Sequence, residues 1–389
     1  NLYADIDDRQ RVRLENRRRQ LGAFSTEEAL SLLPDDHKYL FSYFYYESAR
    51  HIQRLDRPEN AVLKDLIFSE TENRVDRFEK YLSETENLKN FLKIFPVVLT
   101  TCIGAHKLAE PQPHFDMTII DEASQCNVAM SLIPVLRGKS LMLVGDPQQL
   151  RPVIQLDPRT NEILRGRYHV SEEYDYRQNS IYKTYLASDS VSEETLLAHH
   201  YRCHRRIIGF NNKKYYNSKL KVDSTVQSAH PLVYVEVKSA GSEMKNCAPE
   251  EAAWAAEYAA RNPDKKIGII TPFVNQKDCI QQELKARGVN NASCGTVHGF
   301  EGVEKDVVLF SLALTARTGP GTYDWLKNNK ELINVATSRA RQQLVMVGSS
   351  RNIERLHAAA QARQKTDGEG EESGGPGDGD DHYELVQYV

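Results

Sequence analysis

The stretch MTIIDEASQCNVAMSLIPVLRGKSLMLVGDPQQLRPV, residues 117–153, holds two short apolar runs, MTII and SLMLV, and each ends in a polar turn. The first turn carries Asp121 and Glu122, the second Gly145, Asp146 and Gln149. Continuous rather than alternating apolarity marks strands buried on both faces, and in an open α/β sheet ligands bind at the carboxyl ends of the strands. An aspartate placed there can hold Mg²⁺, usually through water, and the adjacent glutamate can orient and deprotonate a water in phosphoryl transfer. An acidic pair closing a single strand is more often a solvated loop. Here a second run ends in a similar turn, with Glu122 and Asp146 only 24 residues apart, and a nucleotide site becomes the better reading.

Outward from this stretch the same texture recurs in PVVLTT (96–101), PLVYVEV (231–237), KIGIITP (266–272), KDVVLFSL (305–312) and QLVMVG (343–348). Helical stretches between several of them predict an α/β fold with parallel sheets. Residues 1 to about 95 read differently. They are rich in Arg, Glu, Leu and Tyr, with two well-separated prolines, Pro34 and Pro58, and apolar residues every three or four positions, the pattern of two to four helices, several of them long. Six arginines between Arg9 and Arg19 are either a track for a phosphate backbone or a solvated helix face. The Gly/Glu/Asp-rich stretch 366–381 reads as a flexible linker, and YELVQYV after it as the start of another element cut short.

Composition narrows the function classes. A chain of 389 residues, 40% hydrophobic and 27% charged, is long enough for two or three domains. It contains no run of eighteen apolar residues, and its charged first residues do not form a secretory signal, so the cytoplasm, or the nucleus of a eukaryote, is the expected setting. The six cysteines, at 102, 126, 203, 247, 279 and 294, form no CxxC pair, and neither a disulfide framework nor a zinc module is indicated. The net charge of −4 hides an asymmetry: eight of the 54 acidic residues fall between Asp367 and Glu384, after the last basic residue. Without them 50 basic residues face 46 acidic ones, so the body is mildly basic and a local patch can meet a polyanion.

The two turns resemble motifs II and III of the superfamily 1 helicases, specifically the up-frameshift (nonsense-mediated-decay) branch. TTCIGA (100–105) resembles the motif just upstream, and HHYRCH (199–204), IGIITPFVNQ (267–276), GTVHGFEGVEKDVV (295–308) and NVATSRARQQLVMVG (334–348) resemble the later motifs in the family's order. The resemblance covers roughly residues 95 to 350. It implies two RecA-like parallel-sheet domains, the first incomplete, behind an N-terminal helical insertion. The corresponding division is 1–94 helical insertion or stalk, 95–155 part of the first RecA-like domain, 156–362 the second, and 363–389 acidic linker and a further element.

The resemblance also implies roles. ATP and Mg²⁺ bind between the domains, Asp121 serving the metal and Glu122 the attacking water. Gln149 senses the γ-phosphate, and Arg202 and Arg339 complete the site from the second domain, where guanidinium groups neutralise spreading transition-state charge. Tyr201 offers a face for adenine; without the resemblance, a core tyrosine fits it equally well. Gly302 permits close backbone approach, and Glu304 can accept from a ribose hydroxyl. Single-stranded nucleic acid, RNA or DNA, meets Thr101, Cys102, Thr271, Pro272, Phe273, Thr296 and His298, whose hydroxyls, backbone amides and aromatic face suit a backbone without base readout. Core packing is the competing reading of Phe273. Movement is 5′ to 3′ by family resemblance alone.

Two departures stand out. Glu301 replaces the family's usual glutamine, and an acid there repels phosphate unless Lys305 pairs with it. No G-x-x-x-x-G-K-[ST] phosphate loop is present: the one GKS, Gly138 to Ser140, has Ile133 in place of the first glycine and follows the acidic pair, so it reads as coincidence. Three explanations fit: a fragment starting inside the helical insertion of a longer motor, a decayed motor that binds nucleic acid without turnover, or a partner-binding scaffold derived from a helicase. The intact set Asp121, Glu122, Gln149, Arg202 and Arg339 favours the first, and the chain alone is then expected to bind ATP weakly and hydrolyse little.

Overall fold

The computed structural model describes residues 38–238, 244–300, 302–367 and 379–389. The arginine run up to Arg19, Glu301 and the linker residues 368–378 lie outside the described residues. The chain divides into two compact units, Asn1–Asp121 with Asn127–Val144, and Glu122–Cys126 with Gly145–Val389.

The described part of the first unit begins with four helices, α1 (Lys38–Ile52), α2 (Ala61–Phe68), α3 (Arg74–Leu82) and α4 (Thr85–Leu92), as the three-to-four-residue periodicity predicts, but only α1, with 15 residues, is long, because turns interrupt the rest of the periodic stretch. Pro58 opens the short 3₁₀ turn leading into α2, where its missing N–H costs no bond. Leu82, Leu88, Leu108 and Ala109 form one small core and Leu55, Leu63 and Ile94 another, with Phe78, Tyr81 and Phe91 packed against both. Strand β1 (Phe115–Ile120), helix α5 (Val128–Val135) and strand β2 (Gly138–Leu143) follow. Asn127 caps α5, its side chain accepting the Met130 amide at 3.0 Å. β1 and β2 pair in parallel, Phe115 opposite Gly138 and Ile120 opposite Leu143. Arg137 is buried beside them because its guanidinium donates to the carbonyls of Leu108, Ala109 and Ile133.

PVVLTT forms no strand: among the described residues the sheet of this unit contains β1 and β2 only, a strand needs a ladder partner, and Val97 and Leu99 are exposed. Burial on both faces also fails for β1 and β2, since Met117, Ile119 and Met142 are about half exposed. Gly138, Lys139 and Ser140 lie in β2, with Lys139 paired to Asp116 at 2.7 Å, and they form no loop at a helix start.

The second unit contains α6 (Pro158–Tyr168), α7 (Ile181–Ser188), β3 (His199–His200), α8 (Arg205–Tyr215), β4 (Lys221–Val222), β5 (Leu232–Glu236), α9 (Pro249–Arg261), β6 (Ile267–Thr271), α10 (Val274–Ala286), β7 (Ala292–Thr296), β8 (Lys305–Ser311), α11 (Pro320–Asn328), α12 (Glu331–Ser338), β9 (Ala340–Gly348), α13 (Ser350–Asp367) and α14 (Asp381–Tyr388). Five strands form one parallel sheet in the order β5-β9-β8-β6-β7. Here continuous apolarity does mean two covered faces. Val307 and Leu309 of β8 join α9 and α10 in one core, while Val308 and Phe310 join α8, α11, α12 and α13 in the other. The edge strand β7, ASCGT, was not among the apolar runs because an edge position lets it carry polar residues. YELVQYV is not a separate element. It folds as most of α14, whose Leu385 enters the second core and whose capping residue Asp380 accepts from the Tyr323 hydroxyl at 2.7 Å.

Candidate nucleotide site and nucleic-acid edge

Glu122–Cys126 of the first turn lie against the second turn within the second unit, while Asp121 is the last residue of the first unit's opening segment. Asp121 is exposed at the carboxyl end of β1. Glu122 takes up a left-handed backbone, φ 50° and ψ 38°, a conformation that is uncommon for a side chain of this size and clusters at functional sites. Its carboxylate accepts from Gln125 Nε2 at 3.1 Å. The Asp146 amide donates to Ser124 Oγ at 3.2 Å, and a Cβ on Gly145 would lie 2.8 Å from the Ser124 nitrogen. Glycine is therefore what lets the turns meet. Gln149 Nε2 donates to Asp146 Oδ2 at 2.8 Å, which fixes the amide, and Leu150 is buried in the core of the second unit.

A second cluster gathers Arg202, Glu304 and Arg339 near the amino ends of β8 and β9. Arg202 Nε pairs with Glu304 Oε1 at 2.5 Å, both side chains partly exposed. Arg339 is buried at the end of α12, and its carbonyl accepts the Lys305 amide at 3.1 Å. Cys203, fully buried, donates its thiol to the Ser338 carbonyl at 3.2 Å and ties the Arg202 loop to the same helix. Burial pushes this thiol up to about 12, so it stays a protonated donor and is no nucleophile. His200 Nε2 accepts the Cys203 amide at 2.9 Å, and burial lowers its pKa, as does the positive charge of Arg202. A neutral ring is what this acceptor role requires. Tyr201 is 67% exposed with its ring near that of His199, centroids 6.2 Å apart, so its face is available for stacking. Gly302 has φ +70° with open space around a would-be Cβ: its backbone conformation, not close approach, is what calls for glycine there.

The residues read as nucleic-acid contacts lie elsewhere. Thr271, Pro272, Phe273, Thr296 and His298 follow or close β6 and β7 at their carboxyl ends, opposite to the edge carrying Arg202, Glu304 and Arg339. A five-residue strand puts the two edges on the order of 15 Å apart. His298 is exposed and Thr296 half-buried, whereas Thr271 and Phe273 are buried, Phe273 beside Trp325 with ring centroids 6.3 Å apart. Thr101 and Cys102 lie in the first unit, where Thr101 Oγ1 accepts the Gly104 amide at 3.0 Å and closes a local turn.

Sequence reading passed over Ser124, Cys203, Asn211, Tyr216 and Asn334, although each forms a hydrogen bond that holds one of these turns or helices in place. Ser124, Cys203 and Asn334 lie inside quoted motifs, but no periodicity or spacing marks a lone hydroxyl, thiol, amide or phenol as a tether.

Two family models described as AAA domains match residues 7–156 and 178–351, together most of the chain. The chain belongs to the up-frameshift-like branch of the superfamily 1 helicases. Among its relatives are the DNA replication ATP-dependent helicase/nuclease DNA2 of Gallus gallus, 26% identical over 73% of this chain and 28% of that protein, and the DNA polymerase alpha-associated DNA helicase A of Saccharomyces cerevisiae, 28% identical over 78% of this chain and 50% of that one. Helicase SEN1 of Saccharomyces cerevisiae is 27% identical over 78% of this chain and 14% of its own length. The chain thus spans half or less of each of these helicases. A solved PRRSV helicase aligns over 63% of this chain and 36% of its own at 18% identity, with a TM-score of 0.33.

Proposed function

We propose that this chain is the motor portion of an ATP-dependent nucleic-acid helicase or translocase acting in the cytoplasm or, in a eukaryote, the nucleus. The observation that carries the reading is the gathering of Arg202, Glu304 and Arg339 at one edge of a parallel sheet, in a chain of this helicase family. ATP is the substrate. Glu122 orients the attacking water and takes its proton, Gln149 senses the γ-phosphate, and Arg202 and Arg339 neutralise charge that spreads over the transferred phosphoryl group. Tyr201 stacks on the base, and Gly302 and Glu304 border the sugar. Before nucleotide arrives, Glu304 holds Arg202 in place, and phosphate oxygens compete for that guanidinium.

Asp121 would hold Mg²⁺, the ion supplying charge neutralisation between phosphates. Among the described residues no three His, Cys, Asp or Glu side chains form a cage, and a single exposed carboxylate suits an ion that keeps water and substrate phosphates as its other ligands. Thr101, Cys102, Thr271, Pro272, Phe273, Thr296 and His298 are assigned to single-stranded RNA or DNA. Thr271 and Phe273 are the buried members of that set. Movement is assigned as 5′ to 3′.

In the full-length protein, Glu122→Gln should lower the ATP turnover number by about 1000-fold while leaving ATP affinity within a few-fold, because the amide keeps the shape of the acid and loses its basicity. A turnover number that stays at the parent value removes Glu122 from its role. The 389 residues alone, lacking a G-x-x-x-x-G-K-[ST] loop, should hydrolyse ATP poorly. Titrating nucleic acid with and without a non-hydrolysable ATP analogue separates the motor from an inert scaffold, whose affinity would ignore the nucleotide.

A further inference from the structure

We infer that Tyr216 and Asn334 are positioning residues for ATP hydrolysis, clasping the turn that carries Gln149 onto the helix that ends at Arg339. The inference rests on the roles proposed above for those two residues.

Tyr216 lies just past the end of α8, and its hydroxyl donates to Asp146 Oδ2 at 2.6 Å. The same carboxylate oxygen accepts from Gln149 Nε2 at 2.8 Å, so Tyr216 and Gln149 are oriented by one shared atom. Asn334 completes the clasp. Its amide nitrogen donates to the Tyr216 hydroxyl and to the Gln148 carbonyl, both at 2.9 Å, which uses its two N–H groups. Asn334 is itself fixed, because Asn211 Nδ2 donates to its side-chain oxygen at 2.8 Å and its carbonyl at 3.0 Å, and Thr337 Oγ1 donates to Asn211 Oδ1 at 2.9 Å. Asn211, Asn334 and Thr337 are almost fully buried. A buried polar network with every member bonded is rigid and specifies one arrangement.

Leu150 adds an apolar anchor two residues past Gln148, and Arg151 pairs with Glu331 at the start of α12 at 3.1 Å. Both ends of the turn are therefore fastened to the rest of the second unit. Burial first, and then the Asp146 carboxylate beside it, hold the Tyr216 phenol above its ordinary pKa, which keeps it a donor. Asn334 and Arg339 are five residues apart on α12 and its cap, about 7.5 Å along the axis. A shift of the Gln149 turn and a shift of Arg339 are then carried by one short rigid helix. The bonds are to the Asp146 carboxylate, to the Gln148 carbonyl and between the two residues themselves, so the expected effect is on the geometry of the reacting group, where small misplacements are costly.

The test uses the full-length protein and nucleic-acid-stimulated ATP hydrolysis. Tyr216→Phe keeps the ring and removes both hydroxyl bonds. It should lower kcat about ten-fold with KM for ATP and affinity for nucleic acid within about two-fold. Asn334→Ala should do the same, and the double variant should lose no more than either single one, because both act through one clasp. An unchanged kcat in Tyr216→Phe overturns the inference, whether or not the variant melts earlier. So does a raised KM with kcat retained, or losses that multiply in the double variant. Glu122→Gln run alongside separates the two levels: if it too retains turnover, the reading of the site fails, whereas if it is inactive and Tyr216→Phe is not, only the clasp fails.

Discussion

The pair β1–β2 and the five-stranded sheet β5–β9 are written in the same kind of sequence and end in different environments. MTII and SLMLV are as apolar as VVLFSL, yet Ile119 is 59% exposed while Val308, Leu309 and Phe310 are fully buried. The difference comes from what lies on each face. The larger sheet has helices on both sides, α9 and α10 on one and α8, α11, α12 and α13 on the other, so every side chain along its central strands finds a cover. In the first unit α5 joins β1 to β2, and the remaining apolar surface of the pair stays open. Apolarity in a strand thus records a demand for burial, and the surrounding layers decide whether it is met.

This contrast can be broken by measurement. Phe310→Ala, in the centre of the covered sheet, should cost about 3–5 kcal/mol in chemical denaturation, the transfer and cavity cost of a large buried ring. A loss under about 1 kcal/mol would put the five-stranded core no further ahead of the open pair. A pH titration comes next. His382 of α14 is fully buried, and burial pushes its pKa down from 6.5 to about 4. Between those values the unfolded chain binds more protons than the folded one, so stability rises with pH through this window and its loss is complete only near pH 4. From pH 7 to pH 5 the second unit should lose about 2 kcal/mol, and His382→Leu should flatten that slope; a slope that persists in the variant assigns the proton elsewhere. The smallest effect belongs to the open pair. Ile119→Thr should change stability by about 0.5 kcal/mol or less, and a cost above about 1 kcal/mol would show that its face is covered in solution.

How much of the site could be read in advance varies with the kind of contact. Asp121, Glu122, Asp146 and Gln149 were legible because strand ends are marked by a switch from apolar to polar residues, and Arg202, Glu304 and Arg339 because their motifs occur in the family's order. Within the second unit the turn that holds Asp146 and Gln149 and the loop that holds Arg202 are both hydrogen-bonded to α12. Phe273 shows the limit of the same approach: its aromatic face looked suited to a nucleic-acid strand, and it is buried beside Trp325, since a residue closing a buried strand has core on one side. Tyr216 and Asn211 left no trace in the pattern, because their partners are separated from them by 70 and 123 residues.

By itself the sequence determined where four of the five strands of the large sheet run, the helical character from Lys38 to Leu92, the chemical groups at the strand ends and the helicase family, because each of these rests on local periodicity or on short motifs. Only the tertiary structure decided that PVVLTT pairs with nothing among the described residues, that ASCGT is an edge strand, that YELVQYV folds back into the second core, and that Tyr216 and Asn334 clasp the Gln149 turn. Hydrogen bonds across long sequence separations and the covering of a sheet face depend on which layers the chain brings together, and no window of neighbouring residues contains that information.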